Sequence, residues 1–249
     1  MYSFRNLKDK LRRYAQFNQK EIKGLVLSII VIAFILSFRD WGKEEFSVSL
    51  GAANFILTLL IVAISYTAHQ IAQRVAAVSV GYQLEYKAWI VGLIVGLVLA
   101  FVSNGVVAFL ALGGFTLTHL AVHRLGRFRY GLNYSVMGWI ALAGPLANVA
   151  LAIIFKSLGA AAGGGYFFTK AVSINLWLAL FSMIPIPPFD GSKTFFGSRY
   201  IYMFALGAIA GIAVLLKFVS SILYAILGSL AIGFVLFWVF FVYVDKQFK

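Results

Sequence analysis

Cysteine is absent from this chain, which excludes a disulfide framework and any thiolate metal site. Charge is scarce too. Only 12% of the 249 residues are Asp, Glu, Lys or Arg, about half the share of a soluble globular domain. A soluble fold with 62% hydrophobic residues would have too little polar surface to cover them, whereas a bilayer solvates apolar helix faces directly. Acidic residues are the scarcest charged class, eight against 21 Lys and Arg, leaving a net charge of +13. Such an excess can mark a nucleic-acid binder. Here the basic residues are scattered between apolar runs, and seven crowd into the first 23 residues. That is the pattern of anchors beside anionic lipid, so the expected partner is the bilayer and not nucleic acid. The first residues are basic and polar for too long to be a cleavable signal peptide, and no small-residue cleavage pattern follows the first apolar run.

What is present is a series of long apolar runs. Residues 1–23 form a basic interfacial segment with Tyr2, Phe4, Leu7, Leu11 and Tyr14 at helical spacing. Uncharged stretches follow at 24–38, 46–73, 88–123, 130–155, 171–189, 200–216 and 218–244. The run 88–123 is too long for one span of ~20 residues. It is expected to turn back at Asn104-Gly105 or to leave helix after Gly113-Gly114. Residues 113–135 are rich in β-branched and aromatic side chains and read as one or two short strands. The fold class is therefore an all-α polytopic integral membrane protein, with six or seven transmembrane helices and a small membrane-associated β element. Its divisions are the N-terminal segment 1–23, a transmembrane core 24–216 and a further C-terminal helix with a basic tail, 217–249. With a cytoplasmic N-terminus in the cell membrane, only Arg39, Lys43, Lys156, Lys170 and Lys217 lie outside, as the positive-inside rule favours.

Polar residues inside spans are costly and mark candidate function. His69 lies in a predicted motif helix, 52–80, and Gln73 stands one helical turn on, sharing its face. A lone histidine on an apolar helix is also an ordinary packed core residue. Asp190 directly follows an apolar span, in the turn 185–193, where Pro185, Pro187 and Pro188 forbid regular helix. Its plain structural role would be to cap the next helix. His119 and His123 form a His-x-x-x-His pair. On a strand, residues four apart stand ~13 Å from each other and cannot share one ion. Glu85 reads as an interfacial ion-pair partner of Lys87 or Arg74.

These residues carry a resemblance. The segments FNQKEIKGLVLS, AHQIAQRVAAVSVGYQLEYKAW, ALAGPLANVAL and SINLWLALFSMIPIPPFDGSK resemble, in order and spacing, the site-2 proteases. These are intramembrane zinc metalloproteases, and the likeness is greatest to their compact archaeal-type members. The resemblance implies that His69 matches the first zinc ligand of the family's His-Glu-x-x-His helix and Asp190 the carboxylate ligand. Asn148 and Asn175 match polar positions near the active site that help hold substrate. Gln70 stands where the family has its catalytic Glu, Gln73 where it has its second His, and Ser182 where it usually has Asn.

Those departures decide the expected chemistry. A catalytic zinc takes three protein ligands and a water. A carboxamide binds zinc far less well than imidazole, and Gln70 cannot accept a proton from the water. The sequence therefore points to a pseudoprotease that keeps the scaffold and binds transmembrane-helix clients, such as single-span membrane proteins, with zinc weak or absent. The alternative is an active intramembrane metalloprotease with a rearranged site using His69, Asp190 and His119 or His123. A transporter or channel would need inverted repeats or a continuous polar path, and neither is visible.

Overall fold

The structure is a computed structural model that describes residues 4–41, 47–120 and 133–244. The chain divides into two compact units, residues 1–129 and 130–249, each described by itself.

The first unit begins with α1 (Phe4–Tyr14), then α2 (Gln19–Ser37). Asn18 starts α2 through a capping box. Its side chain accepts from the Glu21 N–H at 2.9 Å, and the Glu21 carboxylate accepts from the Asn18 N–H at 2.7 Å. Two of the donors that a helix start leaves unpaired are thereby satisfied. α3 (Val48–Ser79) runs antiparallel to α2. Near its start Asn54 donates to the Asp40 carbonyl at 2.8 Å, and near its end Arg74 pairs with Glu21. Gly81, at φ 90°, closes α3 and hands the chain to β1 (Tyr82–Lys87).

α4 (Ile90–Val102) stops at a turn with φ 49° at Asn104 and φ 73° at Gly105. The chain then runs back along its own helix: a Cβ on Gly96 would stand 2.6 Å from the Phe109 carbonyl oxygen. The turn-back expected at Asn104-Gly105 is thus present; the exit from helix expected after Gly113-Gly114 comes earlier, at Val102, and the chain reaches Gly113 already out of helix. Strand β2 (Gly114–His119) pairs antiparallel with β1, with Tyr82 opposite His119 and Lys87 opposite Gly114. The strand expected over 113–135 is β2 in its first part, and residues 121–132 lie outside the described residues. Its partner β1 was not anticipated, although YQLEYK alternates cleanly. Tyr82, Leu84 and Tyr86 are buried; Gln83, Glu85 and Lys87 face out.

The second unit is a set of helical hairpins. α5 (Tyr134–Ala161) and α6 (Tyr166–Ser182) are joined through Gly163, Gly164 and Gly165, all at positive φ. α7 (Asp190–Gly197) packs on α5 where Gly138 and Gly197 let the backbones meet. α8 (Arg199–Phe218) and α9 (Ile222–Val239, continued by a π turn Phe240–Val244) cross on small residues. Gly207 faces Gly233 and Gly211 faces Ser229 at backbone contact, the small-xxx-small arrangement of membrane helix pairs. Lys156 of α5 donates to the carbonyls of Leu216 and Val219, satisfying the end of α8.

Four of these helices are long and apolar enough to cross a membrane: Val48–Ser79, Tyr134–Ala161, Arg199–Phe218 and Ile222–Val244. α2, α4 and α6 are apolar but shorter or charged at one end. The protein is an all-α multi-pass membrane protein with a small two-stranded sheet.

Candidate functional site

In the first unit the polar residues of interest lie on the C-terminal half of α3. Tyr66, His69, Gln70, Gln73 and Arg74 are all buried, with His69 and Gln73 each 1% exposed. His69 and Gln73 stand one turn apart on α3, as their spacing implies. The His69 ring lies 5.9 Å from that of Tyr66. The Tyr66 hydroxyl donates to the Leu112 carbonyl, and its oxygen lies 3.1 Å from the Tyr86 hydroxyl. Tyr86 in turn meets Ser28 at 2.8 Å. A polar chain therefore joins α2, β1, the return segment before β2 and α3, one turn before His69. The Gln70 Oε1 has no hydrogen-bond partner among the described residues.

Arg74 follows Gln73 directly and is paired with Glu21 at 3% and 4% side-chain exposure. The Glu21 Oε1 that meets Arg74 also accepts from the Tyr86 N–H at 2.7 Å. Arg74 donates further to the Leu84 carbonyl at 3.0 Å and lies 3.8 Å over the Phe17 ring. The sequence reading of Glu85 as a partner of Arg74 is corrected here. The alternation of β1 sends Glu85 outward, while Arg74 points under the sheet to Glu21. The network went unseen because its members lie far apart in the chain. Two signals for it exist: an Asn-x-x-Glu capping pattern at 18–21, and a charge at 74 inside an apolar helix.

His119 sits elsewhere on the sheet. Its ring lies 4.8 Å from that of Tyr82 and tilted against it, at the end of the sheet away from Tyr86. Four residues of strand, ~13 Å, separate it from Phe115, which is opposite Tyr86. His119 is therefore displaced from the level of Tyr66 and His69. His123 lies outside the described residues.

In the second unit Asn148, Asn175 and Asp190 come from α5, α6 and α7. The two asparagines are fully buried and Asp190 is 5% exposed. Asn175 donates to the Ala171 carbonyl at 2.9 Å, one turn back on its own helix, and its Oδ1 has no hydrogen-bond partner among the described residues. Ser182 likewise donates to its own helix, at the Ala179 carbonyl. Asp190 is the first residue of α7, where a carboxylate is favoured by the helix dipole. The glycine after it is a steric necessity: a Cβ on Gly191 would stand 2.1 Å from the Met183 carbonyl oxygen. Lys193 donates to the Pro188 carbonyl at 2.7 Å. Burial pushes its pKa down, and the Asp190 charge opposes the shift.

Does this chain's donor set fit a catalytic zinc? α3 offers one imidazole and two carboxamides within a single turn. A carboxamide is a weak neutral donor and no proton acceptor, so α3 supplies neither the second imidazole nor the general base. Among the described residues no three His, Asp or Glu side chains gather into a metal-binding group. On donor chemistry these residues do not fit the group.

A protein of Methanocaldococcus jannaschii named "putative zinc metalloprotease" is 35% identical over 191 residues, covering 75% of this chain and 89% of the relative. No family model matches the chain, and no solved structure does.

Proposed function

Because the chain belongs to the site-2-protease-like family of zinc metalloproteases, we propose that it is a member without proteolytic chemistry, one that binds transmembrane-helix clients and does not cut them. One observation carries this reading. Gln70 and Gln73 occupy the buried motif turn beside His69, where the resemblance requires a general base and a second ligand. Loss of a general base alone slows such chemistry roughly 10²–10⁴-fold. Zinc, the metal implied by the family, is held weakly or not at all. Asn148 and Asn175, both fully buried, keep the role of polar contacts to the client backbone that the resemblance implies. The N-terminus lies in the cytoplasm, in keeping with the charge asymmetry.

The reading of an active protease with a rearranged site needs a second histidine beside His69. His119 lies against Tyr82 at the other end of the sheet, which speaks against it in that role.

The test is a metal and cleavage assay on purified full-length protein with a single-span substrate helix. The expected result is substoichiometric zinc and no cleavage, with the substrate still captured on crosslinking. Cleavage that disappears in His69→Ala would overturn the proposal.

A further inference from the structure

One pole of the first unit gathers cations that neither the fold nor the motif turn uses. The antiparallel run of α2 and α3 brings the start of α2, the end of α3 and β1 together, as the Glu21 contacts with Arg74 and Tyr86 show. The α1–α2 connection lies there too, since Arg74 stacks on Phe17. Around this pole Lys8, Arg12, Arg13, Lys20, Lys23 and Lys87 are exposed, against only Asp9 and Glu85 among exposed acids of the same elements. Lys20 sits on the first turn of α2, where a cation opposes the helix dipole, and Lys23 directly follows that turn. A counter-charge from outside the helix would offset that cost.

The surface next to them identifies that counter-charge. Immediately along α2, Ile22, Val26 and Leu27 are 43–48% exposed, and Ile71 and Val75 are exposed on α3. α3 is long and apolar enough to cross a membrane, and an exposed apolar face on it and on the helix packed against it meets lipid tails. The lysines at its edge therefore stand at headgroup depth, where long basic side chains snorkel to phosphate. α1 adds Lys8, Arg12 and Arg13 to this basic surface.

We infer that this pole is a docking surface for anionic phospholipid headgroups, which hold α1 and the start of α2 on the membrane. The full chain in a neutral detergent is titrated with mixed micelles of phosphatidylglycerol or phosphatidylcholine while thermal unfolding is followed. Phosphatidylglycerol raises the midpoint and phosphatidylcholine leaves it unchanged. One cation near an anionic surface is worth about fivefold in affinity, so the variant with Lys8, Arg12, Lys20 and Lys23 all changed to Gln loses roughly a hundredfold or more. The triple variant Lys8→Arg, Lys20→Arg, Lys23→Arg keeps the response, which separates charge from folding. About 1 M salt, with a Debye length of ~3 Å, weakens it. Equal responses to the two lipids, or a Gln variant that keeps the phosphatidylglycerol response, would refute the inference. So would stabilisation by polyglutamate or a single-stranded oligonucleotide as strong as that by phosphatidylglycerol.

Discussion

Arg74 and Glu21 form a buried ion pair between α3 and the capping turn of α2. The pair ties the motif turn to β1, because the same Glu21 oxygen holds the Tyr86 N–H. Breaking a buried pair from one side leaves an uncompensated charge and costs about 3–5 kcal/mol. Glu21→Gln is therefore expected to lower the thermal midpoint sharply. Glu21→Gln with Arg74→Met recovers much of the loss, and a thermal melt of both variants checks this.

The two substituted motif positions separate in their effects. Gln73→His restores an imidazole one turn from His69 and is expected to raise zinc affinity without conferring cleavage. Gln70→Glu alone restores the proton acceptor but no ligand pair, and zinc content should stay near that of the parent. Only the double variant is expected to show both metal and activity. Equilibrium dialysis against zinc and a peptide-cleavage assay read the two properties independently.

Gly191→Ala places a methyl group 2.1 Å from the Met183 carbonyl oxygen, a contact that must be relieved by moving α7. Overpacking of this kind costs about 1–3 kcal/mol or more. The measurement is thermal stability of the purified variant. Gly197→Ala, with a Cβ 2.7 Å from the Tyr134 carbonyl, is expected to act in the same direction by separating α7 from α5.

At the α8–α9 crossing, a side chain on Gly233 would stand 2.7 Å from the Phe204 carbonyl oxygen. Gly233→Val is expected to prise the two helices apart, whereas Ala210→Val, off the crossing glycines, has a much smaller effect. Protease accessibility of the loop between α8 and α9 distinguishes the two.

Lys193 carries a pH signature. Its pKa is below the model-compound 10.5 in the folded protein because burial disfavours the ammonium. The unfolded chain then binds the extra proton between the lowered value and 10.5, so stability rises with pH across that window. Lys193→Gln removes this rise, and melts across the alkaline range test it.

Much of this architecture is legible in the amino-acid order, for local reasons. The motif helix, read as 52–80, is α3 at Val48–Ser79, because a long apolar run free of Gly and Pro after Gly51 continues until Gly81 takes a positive φ. Asn104-Gly105 is legible as a turn because both residues tolerate that conformation. β2 shows itself through Thr116 and Thr118 alternating with apolar neighbours. β1 and the Glu21 pairing were not legible, since both depend on partners brought together by α2 and α3. Burial of His69, Gln70, Gln73, Asn148, Asn175 and Asp190 is seen directly. The client-binding role of Asn148 and Asn175 is the proposal made above.

The length of α3 has a last consequence. Residues 48–68 alone, about 21 residues and ~31 Å of helix, match the ~30 Å hydrocarbon thickness of a bilayer. With those residues in the hydrocarbon, the polar turn from His69 to Arg74 comes at the boundary between tails and headgroups, and hydrophobic mismatch then sets its depth. A thicker membrane draws that turn inward among acyl chains, and a thinner one pushes it toward water. Acyl-chain length thus becomes a dial on how wet the motif turn is.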